Sequence, residues 1–66
     1  MPIAFRFFVL ASTEAEKVEH LIAGKTLASA FDELIEQVFL VSHGEQLRIE
    51  TCTHELLPLG YVDILV

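Results

Sequence analysis

Residues 3–11 (Ile-Ala-Phe-Arg-Phe-Phe-Val-Leu-Ala) are dominated by β-branched and aromatic side chains, which predicts a strand. Ile3, Phe5, Phe7 and Val9 fall on one face, wholly apolar and suited to a core. Arg6, Phe8 and Leu10 fall on the other, a mixed face of the kind that is solvated or covered by a partner. The polar stretch 12–16 reads as a turn. Residues 13–23 admit two readings. Thr13-Glu14-Ala15-Glu16 fits a capping box, with Ala15, Val18, Leu21 and Ile22 at helical spacing; residues 17–23 also read as a strand with Val18, His20 and Ile22 on one face. The strand is the favoured reading, and Gly24 closes the element either way.

Residues 26–42 carry the clearest periodicity. Thr26 is a good N-cap, and Leu27, Phe31, Leu34, Val38 and Val41 recur at steps of four and three, so one face of a helix is continuously apolar. Ala30, Ile35 and Phe39 widen that face, while Asp32, Glu33, Glu36 and Gln37 form the wet one. His43 and Gly44 suit a helix C-terminus, because glycine accepts the left-handed conformation. An alternative ends the helix near Glu36 and makes Val38–Ser42 a strand. Residues 46–52 alternate again, with Leu47, Ile49 and Thr51 opposite Arg48, Glu50 and Cys52. Residues 53–60, with Pro58 and Gly60, read as a loop. Residues 61–66 form a last strand, with Val62, Ile64 and Val66 on one face and Tyr61, Asp63 and Leu65 on the other.

At 66 residues the chain is a single small domain. Its apolar fraction of 53% exceeds the usual ~45–50%, in a chain whose surface-to-volume ratio is high. Some large apolar side chains must therefore lie at the surface, where they mark a partner site; a homodimer is the simplest version. The net charge of −6 comes from ten acidic against four basic residues, and Arg6, Lys17, Lys25 and Arg48 are scattered singly. Nucleic acid and anionic membranes need clustered cations, so neither is an expected direct partner. No apolar run approaches the ~20 residues of a membrane span, and the lone cysteine fits a reducing cytoplasm.

The expected order, strand, strand, helix, strand, strand, together with two stretches, resembles the β-grasp or ubiquitin-like superfamily. Ala23-Gly24-Lys25-Thr26-Leu27, followed by Phe31, Leu34 and Ile35, resembles the junction of second strand and helix in those domains. Leu57-Pro58-Leu59-Gly60-Tyr61 and the residues to Val66 resemble their closing turn and final strand. The resemblance implies an α+β fold, with one main helix (about 26–42) on a small mixed sheet of three to four strands. It also implies that the first and last strands lie side by side and parallel, uniting Phe8, Leu10, Tyr61 and Leu65 in one apolar patch away from the helix. Sulfur carriers and conjugated ubiquitin-like proteins end in Gly-Gly. This sequence ends Leu65-Val66, so their C-terminal chemistry is not expected of it. Residues 49–58 also loosely resemble the small β-grasp accessory subunits of multicomponent monooxygenases.

Candidate chemistry is sparse. Cys52 and His54 lie two apart, as a nucleophile and base on one strand face would, but no oxyanion-binding glycine turn accompanies them. His20, His43, His54 and Cys52 match no compact metal-ligand spacing, so no metal is expected. Gly24-Lys25-Thr26 imitates the end of a phosphate-binding loop, yet Glu19 stands where that loop needs glycine. The expectation is a non-catalytic interaction module or accessory subunit without a cofactor. It would dock another protein, or a second copy, through Phe8, Leu10, Tyr61 and Leu65. Asp32, Glu33 and Glu36 offer a contact for a basic partner. That second reading is a small acidic inhibitor from a mobile element, covering a basic surface that otherwise binds nucleic acid.

Overall fold

The chain folds in the order β1 (Ile3–Ala11), β2 (Val18–Gly24), α1 (Leu27–Val41), β3 (Gln46–Thr53) and β4 (Pro58–Leu65). The structure is a computed structural model that describes residues 3–41 and 44–66, the side chain of Val41 excepted. The expectations placed on Val41 as a helix-face side chain, and on Ser42 and His43, lie outside the described residues.

Tertiary pairing decides the two local ambiguities. Val18, His20 and Ile22 pair with Val9, Phe7 and Phe5, so the segment after the first turn is a strand and its apolar face joins that of β1. Thr13 caps no helix; its hydroxyl donates to Glu45 Oε2 at 2.8 Å. Residues 38–41 continue the helix instead of starting a strand. At the other end Thr26 is the cap. Its Oγ1 accepts the Ser29 N–H at 3.1 Å, and Ser29 Oγ accepts the Thr26 N–H at 3.2 Å, a reciprocal pair that satisfies two otherwise orphaned donors. Gly24 lets β2 pass beneath this first turn. A Cβ there would lie 2.8 Å from Ser29 Oγ and 3.1 Å from the Ala30 amide nitrogen.

The sheet order is β2-β1-β3-β4, and every neighbouring pair is antiparallel. An α+β fold with one helix on a small sheet is therefore present, but the sheet is not mixed. β1 does not lie beside β4; β3 stands between them. The reason is visible in the strands themselves. β4 contains Pro58, Gly60 and a register shift opposite Thr51 and Cys52, features tolerated at a sheet edge and costly at its centre. β3 carries none of them and takes the central place, burying Leu47, Ile49 and Thr51.

The core lies between α1 and the two central strands: Phe5, Phe7 and Val9 of β1, Ile22 of β2, Ala30, Leu34 and Val38 of α1, and Leu47 and Ile49 of β3. Phe31 reaches in from the side, its ring edge-on to Phe7 at 6.0 Å. Ile3, expected in the core with the rest of its face, is exposed at the end of the sheet.

β3 and β4 join by a hairpin shorter than the loop expected over 53–60. The Leu56 N–H donates to Thr53 O at 2.9 Å, and the Thr53 N–H to Leu57 O at 2.9 Å. Leu56 closes the turn at φ 70°, where three-residue hairpin loops favour glycine or asparagine. Its side chain is exposed, so little packing offsets the strain. Leu56→Gly should stabilise the fold by about 0.5–1 kcal/mol, the left-handed penalty relieved less the added freedom of the unfolded chain. A higher urea midpoint at unchanged slope is the expected result; a lower midpoint would mean that the leucine packs against something after all.

Candidate functional site

The face of the sheet away from α1 is a lattice of charge. In register across β2, β1, β3 and β4 run Glu19, Phe8, Glu50 and Tyr61, and in the next row Leu10, Arg48 and Asp63. Arg6 Nη1 contacts Glu19 Oε1 at 2.8 Å, Lys17 pairs with Glu50, and Arg48 holds Asp63 through two hydrogen bonds of 2.9 and 3.2 Å. The Arg48 guanidinium also lies over the Tyr61 ring, 4.8 Å from its centroid. Phe8, Leu10, Tyr61 and Leu65 all sit on this face, as expected. β3 interposes Gln46, Arg48 and Glu50 between the β1 pair and the β4 pair, so the four are not side by side; Phe8 and Tyr61 nevertheless line one shallow hollow with Lys17, Glu50 and Pro58. Phe8 and Leu10 are half-buried among those charged neighbours, whereas Tyr61 and Leu65 remain exposed. Asp32, Glu33 and Glu36 lie exposed on α1, on the opposite side of the molecule.

Cys52 is half-buried on β3 and His54 exposed in the hairpin turn, with no hydrogen bond between them; the His54 carbonyl accepts from Arg6 Nε at 3.0 Å. His20 lies on the helix side of β2, and no group of three potential metal ligands occurs among the described residues. The helix N-terminus over Gly24-Lys25-Thr26 is closed by its own cap.

A second apolar surface lies on the helix side. The α1 backbone runs close to β2 and β1, and neither β3 nor β4 comes as near. Ile49 is fully buried, yet its cross-strand neighbour Val62, on the same face, is 42% exposed. Between α1 and β4 opens a trough of about 540 Å³ whose lining includes Leu27, Phe31, Leu59 and Val62, with Thr51 and Tyr61 also reaching it. At 100° per residue the apolar flank of α1 continues from Leu27 and Phe31 through Ile35 to Phe39, which is 54% exposed. The next side chains round the helix from that flank are Asp32 and Glu36. Leu56 and Leu57 of the hairpin are also exposed. The total accessible surface is 4625 Å², above the roughly 4,200 Å² expected of an ordinary 7.4 kDa monomer.

Helical and strand periodicity assign Leu27, Phe31 and Val62 to the core, and so miss the trough. The signal that reveals it is angular. From Ala30 round to Phe39 the apolar arc of α1 covers half the helix, more than one sheet contact occupies.

β4 is also a free edge. The Val66 N–H donates to Glu45 O at 3.0 Å. The alternation of an antiparallel ladder then turns the backbone groups of Ile64 and Val62 toward β3, and those of Tyr61, Asp63 and Leu65 outward. The hydrogen bonds from Arg48 hold the Asp63 carboxyl below its ordinary value of 3.8. A depressed carboxyl stabilises the fold above that ordinary value, and the contribution disappears as pH falls through the folded value. Asp63→Asn should therefore be less stable than the parent at neutral pH and equal to it in strong acid, by denaturant titration at both; a deficit that persists in acid would place its origin outside the ion pair.

No protein-family model, no curated protein and no solved structure matches this chain.

Proposed function

We propose that this chain is a non-catalytic protein–protein interaction module that docks its partner in the trough between α1 and β4. The observation that carries the reading is the uncovered apolar surface formed by the flank of α1 and the near side of β4. A monomer gains nothing by leaving Leu27, Leu59 and Val62 in water, and contiguous apolar patches on small domains mark partner sites. The charged lattice on the other sheet face supports the same choice, since its ion pairs satisfy one another without a partner. The single unpaired cysteine accords with a cytoplasmic setting.

A second reading has its own observation. Asp32, Glu33 and Glu36 are exposed, and no ion pair engages them among the described residues. An acidic inhibitor would present these carboxylates to a basic nucleic-acid-binding surface, with affinity that collapses as salt rises.

A photo-crosslinking side chain placed at Val62, and separately at Glu33, in cells that produce the protein separates the two. The docking reading predicts one discrete adduct from Val62, abolished by Leu59→Asp; an adduct of twice the chain mass would identify the partner as a second copy. An adduct from Glu33 but not Val62 would favour the inhibitor, and none from either would remove the basis for both.

A further inference from the structure

We propose that the occupant of the trough is an amphipathic helix of a partner protein, with lysine or arginine along the border of its apolar stripe; this rests on the docking reading above. The first argument is spacing. Strands lie about 4.8 Å apart, so β4, two strands beyond β1, is displaced from it by about 10 Å. Packed helices run 8–10 Å apart. With α1 running over β1 and β2, a second helix beside it comes down on β4. The flank it would meet carries Leu27, Phe31 and Ile35, one residue per turn at steps of four. That is a ridge about 12 Å long, of the kind that seats in the groove of a neighbouring helix. Two helices side by side on one face of the sheet would cover the strand that α1 leaves bare.

Charge selects the chemistry of the border. Asp32 and Glu36 stand next to the apolar flank, and neither has a cation among the described residues. Of the four basic side chains, Arg6, Lys17 and Arg48 are engaged on the opposite face. A helix seated in the trough would therefore bring its near border against unneutralised carboxylates, which favours lysine or arginine there.

Two other occupants fit less well. An added strand would pair with the outer edge of β4, but Pro58 and the bulge guard that edge. In a second copy the apolar flank of α1 is bordered by the same Asp32 and Glu36. Packing the two flanks together would set carboxylate against carboxylate, between chains that each carry −6.

Fluorescein-labelled synthetic peptides of about 18 residues, long enough to form a stable helix, test the proposal by anisotropy against the full chain. One set has a leucine, isoleucine or phenylalanine stripe bordered by lysine; a second has the same stripes bordered by glutamate; a third keeps the lysine but scrambles the stripe. Only the first set should bind, and raising salt from about 50 to about 500 mM should weaken it about tenfold or more. Val62→Asp makes the protein more negative, so attraction by charge alone predicts tighter binding. Docking in the trough predicts a loss of about tenfold or more, while Leu65→Asp on the other face leaves binding unchanged; circular dichroism checks that both variants fold. Unimpaired binding by Val62→Asp would overturn the proposal, as would equal binding of the glutamate set. If no peptide binds while Val62 still crosslinks a partner, the helix is the wrong occupant and the docking reading stands. If both fail, the docking reading falls as well.

Discussion

One helix cannot cover four strands. An α-helix with its side chains is about 10–12 Å across, and four strands span about 15 Å between the outer axes alone. Most other features of this molecule follow from which strand is left out. The close passage of β2 beneath the first helical turn, possible because Gly24 has no side chain, draws α1 toward the β2 side. The middle of β1 and of β3 is then roofed on that face, and Val62 of β4 is not. The apolar arc of α1 that overshoots the roof becomes one wall of a trough, and Val62 its floor.

The two faces of the sheet meet water by different means. Away from the helix, Phe8, Leu10, Leu21 and Tyr61 have charged cross-strand neighbours, and Arg6, Lys17 and Arg48 each find a carboxylate. Exposed pairs of this kind add little stability individually. Their effect is to leave that face self-sufficient and the rest of the surface acidic, because they engage three of the four basic residues. On the helix side nothing comparable protects Leu27, Leu59 or Val62. The asymmetry is why the docking surface is assigned to the trough, and not to the patch that β1 and β4 would have made side by side.

Much of the fold was legible in the sequence. The limits of β1, the cap at Thr26, the face of β3 and the two faces of β4 all follow from local periodicity and side-chain chemistry, which do not depend on neighbours. The segment 17–23 was ambiguous because seven residues satisfy both periods; pairing of Val18, His20 and Ile22 with β1 resolved it. Strand order was beyond local pattern. Pro58 and Gly60, which local pattern reads as loop residues, are instead the marks of an edge strand that leaves the central place to β3. The expected site was legible only in part. Tyr61 and Leu65 are exposed on the strand face expected of them and the carboxylates of α1 face solvent, but Leu27 and Val62 lie on faces that periodicity turns toward a core, and Leu59 falls in a stretch that reads as a loop. Periodicity reports which side chains point at a layer and says nothing of how far that layer extends.

The central claim is that β4 is open in the free protein, unpaired along its outer edge and uncovered at Val62, while the middle of β1 is buried. Amide hydrogen exchange, followed residue by residue at two protein concentrations, tests it directly. The expected result is near-unprotected exchange at Tyr61, Asp63 and Leu65, with Phe5, Phe7 and Val9 protected to the level of global unfolding, and no change on dilution. Protection at Tyr61, Asp63 and Leu65 equal to that of β1 would contradict it, because the outer edge would then already be paired; loss of that protection on dilution would show that the cover is a second copy.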